Sequence, residues 1–321
     1  MSACAKSSSV APNEEQRKYF DAWIQLYHPG AVRTPLGAYI LEDREGDGIP
    51  VGLANEHPYL RVNYKVADME GNVIATNSEA LSKQLGLYSE SSCYNPEVWD
   101  RSVITVGLEE SVQNMRVGGR RTLFVPGWLS TNIIYVTPEE YFVNVTDGTE
   151  YVYDFELVDA VEDIVRWETD SVCAYMRHNY PKVSVLDSLR YGYYYVRTGE
   201  PSDTAAYPAD GHFNINYIGR LLDGKVFDTS IKDTAKFYGI YSEAATYKSQ
   251  QVNCAENYTG YTMGDSKSSV IDGFAYALHR MRPGEKCTVI FHSLYGYSVS
   301  GSGTAIPPYS PLRFDIEIVD E

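Results

Sequence analysis

Cysteine and histidine are the side chains that most often hold a metal, and this chain carries five of the first and six of the second. The cysteines are Cys4, Cys93, Cys173, Cys254 and Cys287. No two form a CxxC pair and the histidines are scattered, so the spacing supports no zinc site and leaves cysteine pairing open. No metal or organic cofactor is expected. The charge balance excludes another class. Lys and Arg number 27 against 43 Asp and Glu, a net −16 that repels phosphate backbones and argues against nucleic-acid binding.

The elements that must position any site follow from composition. At 321 residues, 44% hydrophobic and 22% charged, the chain is globular and long enough for two domains. It has 28 Tyr against 10 Phe and 4 Trp, a balance that suits half-buried sheets. No apolar run reaches the roughly 18–20 residues of a membrane helix. Met1-Ser2-Ala3-Cys4 reads like the tail of a bacterial lipobox, with residues 5–13 as a flexible tether. A leader would then belong upstream. The expected location is the bacterial cell envelope, on the periplasmic or outer-membrane face, with membrane contact only through a lipid anchor at Cys4. A cytoplasmic protein with a chance cysteine is the alternative.

The chain says similar things twice. Residues 16–28 set Phe20, Trp23, Ile24 and Tyr27 on one helical stripe, stopped by Pro29-Gly30. Strands follow at 37–41 and 59–66, the second with Leu60, Val62 and Tyr64 on one face. A helix at 164–179 and strands at 192–196 and 212–219 repeat that order, with Asn216-Tyr217 matching Asn63-Tyr64. Helical stripes recur at 107–115 (Leu108, Val112, Met115) and 273–281 (Phe274, Ala277, Leu278, Met281). Each half ends in a strand with a matching tail, DFELVD at 154–159 and DIEIVD at 315–320. The offset between copies drifts, as expected of two domains with insertions rather than a solenoid. Strands around one short helix read as α+β.

Within the second copy, the run 216–230 (NYIGRLLDGKVFDTS) is followed by VIDGF at 270–274 and MRPGEK at 281–286. Tyr295-Gly296, Ile306-Pro307-Pro308 and LRFDIE at 312–317 come next. These blocks, in this order, resemble the FKBP-type peptidyl-prolyl cis-trans isomerases. The resemblance implies a curved antiparallel sheet wrapped on a short helix, and catalysis of rotation about X–Pro bonds. It implies proline-containing polypeptides as substrates and a macrolide as a possible inhibitor. It also assigns roles. Tyr217, Phe227, Phe274, Tyr295 and Phe314 line a pocket, with Val270, Ile271 and Ile306 as its aliphatic wall. Asp228 is the polar group beside the bound amide, and the Ile271 N–H and the Tyr295 hydroxyl hold substrate carbonyls. Asp228 and Tyr295 are thus the expected catalytic residues. Without the resemblance, Tyr217, Phe227 and Phe314 read as sheet core and Asp228 as a turn residue.

Two departures from the family pattern stand out. Its pocket floor is often Trp and here is Phe274, which implies slower turnover or weaker macrolide binding. The connection 231–261 is long and rich in tyrosine, which leaves one pocket aromatic unassigned. The first copy keeps the frame and Tyr64 but has Ile74-Ala75 for Phe227-Asp228, Leu108 for Phe274, and Trp128-Leu129-Ser130 near the Tyr295 position. It reads as structural, or as a peptide-binding surface without useful turnover. The expected organisation is a tether (1–15), a degenerate FKBP-like domain with an N-terminal helix (16–160), a connecting helix (161–180) and an isomerase domain (181–321). The functional expectation is an isomerase that assists folding of exported envelope proteins. The alternative is a peptide-binding chaperone or interaction module.

Overall fold

A computed structural model describes residues 12–184 and 188–319. Cys4, most of the expected tether and Asp320 of the second tail lie outside the described residues. The chain divides into two compact units: Met1–Gly86 with Tyr94–Glu162, and Leu87–Cys93 with Asp163–Glu321.

The first unit runs α1 (Glu14–Tyr27), β1 (Val32–Arg33), β2 (Tyr39–Arg44), β3 (Tyr59–Ala67), β4 (Val73–Thr76), α2 (Glu79–Gln84), β5 (Glu97–Asp100), α3 (Val106–Val112), β6 (Arg120–Val125), α4 (Pro138–Asn144) and β7 (Tyr151–Val161). Its strands order as β1-β2-β6-β7-β3-β4, with β5 also on β3, and all pairings are antiparallel. The second unit runs α5 (Ile164–Asn179), β8 (Tyr193–Gly199), β9 (His212–Leu221), β10 (Val226–Thr229), α6 (Lys232–Phe237), β11 (Gln250–Asn253), β12 (Thr262–Met263), β13 (Ser268–Ser269), α7 (Asp272–Arg280), β14 (Lys286–Phe291) and β15 (Leu312–Val319). Here the order is β13-β12-β11-β9-β15-β14-β8, with β10 also on β9. Traced from its other end, β8-β14-β15-β9 repeats β2-β6-β7-β3. The pair β10 and β11 on β9 repeats β4 and β5 on β3.

Each sheet buries one short helix, the α+β arrangement expected from the sequence. In the second unit Phe274, Ala277 and Leu278 of α7 pack with Ile215, Val289 and Ile316 of the sheet. In the first, Leu108 and Val112 of α3 pack with Leu60, Leu123 and Phe155. The stripe at 107–115 is only partly helical, because Asn114 takes a left-handed φ of 64° and the helix stops at Val112.

Two expectations about the flanking helices change. Asn13 is buried, and its amide donates to the backbone oxygens of Phe142 and Val145 at 2.6 and 2.8 Å. Residues 13–15 therefore open α1 instead of extending a tether. That helix is part of the first core, with the Phe20 ring 5.0 Å from Phe124 and 5.7 Å from Trp128. Helix α5, expected as a connector, packs within the second unit through Val172 and Met176 against Tyr194 and Ile290. The long connection 231–261 folds as α6, strand β11 and a 3-10 turn at Tyr258–Gly260. Among the described residues no helix is long and apolar enough to cross a membrane, and no group of three or more His, Cys, Asp or Glu could hold a metal.

Candidate active site

Strand β9 alternates strictly, with Phe213, Ile215, Tyr217, Gly219 and Leu221 turned to the core. Tyr217 lies opposite Ile316 of β15, and Gly219 lies opposite Phe314. A glycine is needed at 219. A Cβ there would sit 2.5 Å from Phe227 Cε2 and 2.9 Å from Phe314 Cε1, inside both rings' contact distance. Leaving that space empty lets the two rings meet edge to face at 5.6 Å.

A bulge does the rest. The pairing of β10 with β9 shifts register between Val226 and Asp228. Neighbouring residues on a regular strand point to opposite faces, whereas a bulge re-aims one of them. The result is that consecutive Phe227 and Asp228 both serve the Tyr217 face of β9. Phe227 meets Phe314, and Asp228 Oδ2 accepts the Tyr217 hydroxyl at 2.7 Å. Tyr217 is fixed in turn from its backbone, whose N–H donates to Ser230 Oγ at 3.0 Å and whose carbonyl accepts from Thr229 Oγ1 at 2.8 Å. Burial first, then the Asp228 charge, pushes the Tyr217 phenol well above its ordinary pKa, so it stays a donor.

The rings form a chain: Phe227 to Phe314, Phe314 to Phe274 at 4.8 Å, and Phe274 to Tyr217 at 5.6 Å. Phe314 also stacks on Phe291 at 6.0 Å, and Phe291 on Tyr193 at 5.5 Å. Tyr193 donates to the Gly273 carbonyl at 2.7 Å, which ties this second layer to α7. Strand patterning alone gave no reason to single out Tyr193 and Phe291. Phe274, Phe314, Ile306 and Tyr217 are buried, Phe227, Val270 and Ile271 are half-buried, and Asp228 is exposed. The set has a closed apolar floor and an open rim that carries one carboxylate. Ile271 caps α7, and its carbonyl accepts from Ala275 N–H.

Tyr295 and Tyr297 both pack against the second core. Tyr295 lies in a 3-10 turn (Ser293–Tyr295), with its ring against His292 at 4.7 Å and Tyr193 at 5.7 Å. Tyr297 also feels Asp228: its phenol is pushed up by burial first and then by that carboxylate. Tyr217 in turn responds to Tyr297. Tyr217, Asp228 and Tyr297 are therefore one electrostatic group.

The insertion's tyrosines make other contacts: Tyr241 stacks on Tyr247 at 5.4 Å, Arg220 of β9 lies over Tyr238 at 5.0 Å, and Tyr258 and Tyr261 meet Tyr276 and His279 of α7 at 5.4 and 5.7 Å.

In the first unit, Tyr64 occupies the Tyr217 position and donates to Glu97 Oε2 at 3.0 Å. The carboxylate expected to be missing is present, but it comes from β5. Burial raises the Glu97 carboxyl and the Tyr64 phenol, the latter also through the Glu97 charge. Trp99, buried, lies 6.0 Å from Tyr64, 5.3 Å from Phe155 and 6.5 Å from Tyr153. Trp128 is buried against Phe20 and Phe142 in the core.

Residues 205–319, which contain every proposed site residue, match the family model described as FKBP-type peptidyl-prolyl cis-trans isomerase. The chain is 30% identical over 128 residues to a macrophage infectivity potentiator of Trypanosoma cruzi, covering 40% of this chain and 52% of that protein. It is 27% identical over 221 residues to human peptidyl-prolyl cis-trans isomerase FKBP10, covering 68% of this chain and 28% of that protein. A solved peptidyl-prolyl cis-trans isomerase from Pseudomonas syringae pv. tomato aligns at 25% identity and a TM-score of 0.35, covering 51% of this chain and 97% of that one. The chain spans about half or less of the length of these two curated relatives. Over residues 205–319, the second unit is thus similar to the FKBP-type peptidyl-prolyl cis-trans isomerases.

Proposed function

We propose that the second unit catalyses cis/trans rotation about X–Pro bonds in polypeptides. The observation that carries this is the aromatic floor of Phe274 and Phe314 beneath an exposed Asp228 that is held by Tyr217. Amide resonance sets a rotation barrier of ∼18–20 kcal/mol. For X–Pro the two isomers are close in energy but exchange slowly. No bond to the enzyme is needed. An apolar pocket that takes the proline ring removes water from the amide and favours the twisted, less charge-separated geometry. Phe274 and Phe314 form the base for the ring, Phe227, Val270, Ile271 and Ile306 the walls, and Asp228 the polar contact at the amide. The Ile271 N–H and the Tyr297 hydroxyl hold substrate carbonyls. A macrolide of matching shape would compete for the same floor. The test is isomerisation of X–Pro peptides by the full chain, with and without a macrolide. Inhibitable turnover that is lost in Phe274→Ala supports the reading, and a chain with no turnover overturns it.

The first unit is read as a second copy of this domain that does not turn over. Its strand order repeats, and the 221-residue match to FKBP10 is longer than the second unit. A client-holding role for it is favoured by Ile133, Ile134 and Val136, which are 57%, 85% and 92% exposed. Ile134→Ser with Val136→Ser should weaken suppression of client aggregation and leave isomerisation unchanged. Envelope location and exported clients rest on Met1–Cys4 alone. Labelled fatty acid incorporated by the chain and lost in Cys4→Ser would support them, and absence of label would overturn them.

A further inference from the structure

Helix α5 lies outside the segment that matches the family, yet it sends one carboxylate into the loop that carries Tyr297. Glu168 is fully buried. Its Oε2 accepts the Ser293 backbone N–H at 2.5 Å and its Oε1 accepts the Ser293 hydroxyl at 2.7 Å. Both carboxylate oxygens therefore converge on a single residue. The Ser293 carbonyl then accepts from Gly296 N–H at 2.8 Å and from Ser298 N–H at 2.9 Å. Those two donors flank Tyr297 in sequence. Ser298 holds a left-handed φ of 48°, and its own carbonyl accepts from Tyr309 N–H at 2.9 Å. The path from α5 towards the site runs through hydrogen bonds: Glu168 fixes Ser293, Ser293 fixes both neighbours of Tyr297, and the Tyr297 phenol lies in the field of Asp228.

A buried carboxylate is costly unless its oxygens are well paired. Packing α5 on the sheet requires only its apolar stripe, Val172 and Met176. A leucine or methionine at 168 would serve that packing without the desolvation cost. The polar group is explained by what it grips, a turn that no strand pairing holds.

We propose that Glu168 is a positioning residue for the isomerase site, acting through Ser293 to hold Tyr297 against Asp228. This rests on the isomerase reading of the second unit. It makes α5 a working part of the site, although the helix lies outside the matched segment.

The test uses the full chain. Glu168→Gln keeps the size but offers one acceptor where two are used. Ser293→Ala removes the hydroxyl alone and serves as the second variant if Glu168→Gln folds poorly. The expected loss in kcat/KM is about tenfold or more, on the scale of a misplaced site group. In a Tyr297→Phe background the same substitution should cost less than about twofold, because coupled residues are not additive. Equal loss in both backgrounds, or no loss in either, overturns the proposal. Amide exchange provides a readout independent of turnover. Glu168→Gln should speed exchange at Gly296 and Ser298 while β14 and β15 stay protected. Unchanged protection at those two amides, or uniform acceleration across the sheet, overturns it. If the unmodified chain has no turnover, the isomerase reading fails and the exchange result alone decides the role of Glu168.

Discussion

In both units a tyrosine on the strand that pairs with three others donates its hydroxyl to a carboxylate, but the carboxylate arrives by different routes. Tyr217 meets Asp228 from β10, at an exposed rim. Tyr64 meets Glu97 from β5, where burial raises the carboxyl. A half-buried phenol needs an acceptor wherever it sits. The recurrence of the pair therefore reflects the fold's requirement and does not by itself make a site. What separates the units is what packs beside the pair. In the second, Gly219 and the β10 bulge bring Phe227 and Asp228 together above a floor of rings. In the first, Trp99 packs against Tyr64, Phe155 and Tyr153, and Ile74 is turned out to solvent, 55% exposed. One copy sets its aromatics beneath an exposed carboxylate, and the other has used a large aromatic as core.

The largest test of that contrast removes a floor residue from each unit. Phe274→Ala should abolish isomerisation and cost the second unit about 3–5 kcal/mol, the usual range for a buried Phe. Leu108→Ala should cost the first unit about 2–5 kcal/mol and leave turnover of X–Pro peptides unchanged. In a Trp167→Phe background, chemical denaturation followed by tryptophan fluorescence reports the first unit, which holds Trp23, Trp99 and Trp128, and far-UV dichroism reports the sum. Loss of turnover in Leu108→Ala would break the separation between the two copies.

Next come the carboxylates. Asp228→Ala should lower kcat/KM by about tenfold or more, the worth of one good polar contact, at a stability cost of no more than about 1 kcal/mol, because water at the exposed rim can replace the carboxylate as acceptor for the Tyr217 hydroxyl. Glu97→Ala should do the reverse. It leaves turnover intact and costs the first unit about 1–3 kcal/mol, the usual penalty for an orphaned buried donor. If Asp228→Ala unfolds the domain and spares the rate, Asp228 is a turn residue and the assigned role is wrong.

Smaller again is a pH effect confined to the first unit. Burial raises the Glu97 carboxyl above its ordinary value of 4.5. The folded unit therefore takes up its proton before the unfolded chain does. Stability from this group increases as pH falls through the raised value and levels off below the ordinary one. Glu97→Gln should flatten that part of the first unit's unfolding profile. An identical profile in both proteins would show that Glu97 does not titrate there.

Much of this was legible in the chain because periodicity and motif order survive without coordinates. The helix Ile164–Asn179 and the repeat of Asn63-Tyr64 in Asn216-Tyr217 come directly from spacing, and the structure sets both tyrosines at equivalent places. The hidden parts depend on geometry that spacing does not encode. A bulge at Val226 is invisible in a four-residue strand, so nothing in the sequence says that adjacent Phe227 and Asp228 share a face. Glu97 lies far from Tyr64 in the chain, and only the pairing of β5 with β3 brings the two together. The pull of α5 on the 293–298 turn is likewise a contact between distant segments.

The finest distinction lies between two tyrosines two residues apart. Tyr297→Phe and Tyr295→Phe each remove one hydroxyl and keep the ring, so neither should unfold the domain. Tyr297 stands in the field of Asp228, and its burial keeps the phenol protonated and able to donate. A substrate carbonyl that loses this donor should bind more weakly by about 0.5–1.5 kcal/mol, seen as a rise in KM of roughly two- to tenfold. Tyr295 rests its ring on His292 and Tyr193. Removing its hydroxyl should leave KM and kcat within about twofold of the unmodified chain, since a change away from the site carries no transition-state contact. The assay is a comparison of KM for one X–Pro peptide across the two variants. A KM that rises in Tyr295→Phe and not in Tyr297→Phe would reverse the register and restore Tyr295 as the residue that holds the substrate carbonyl.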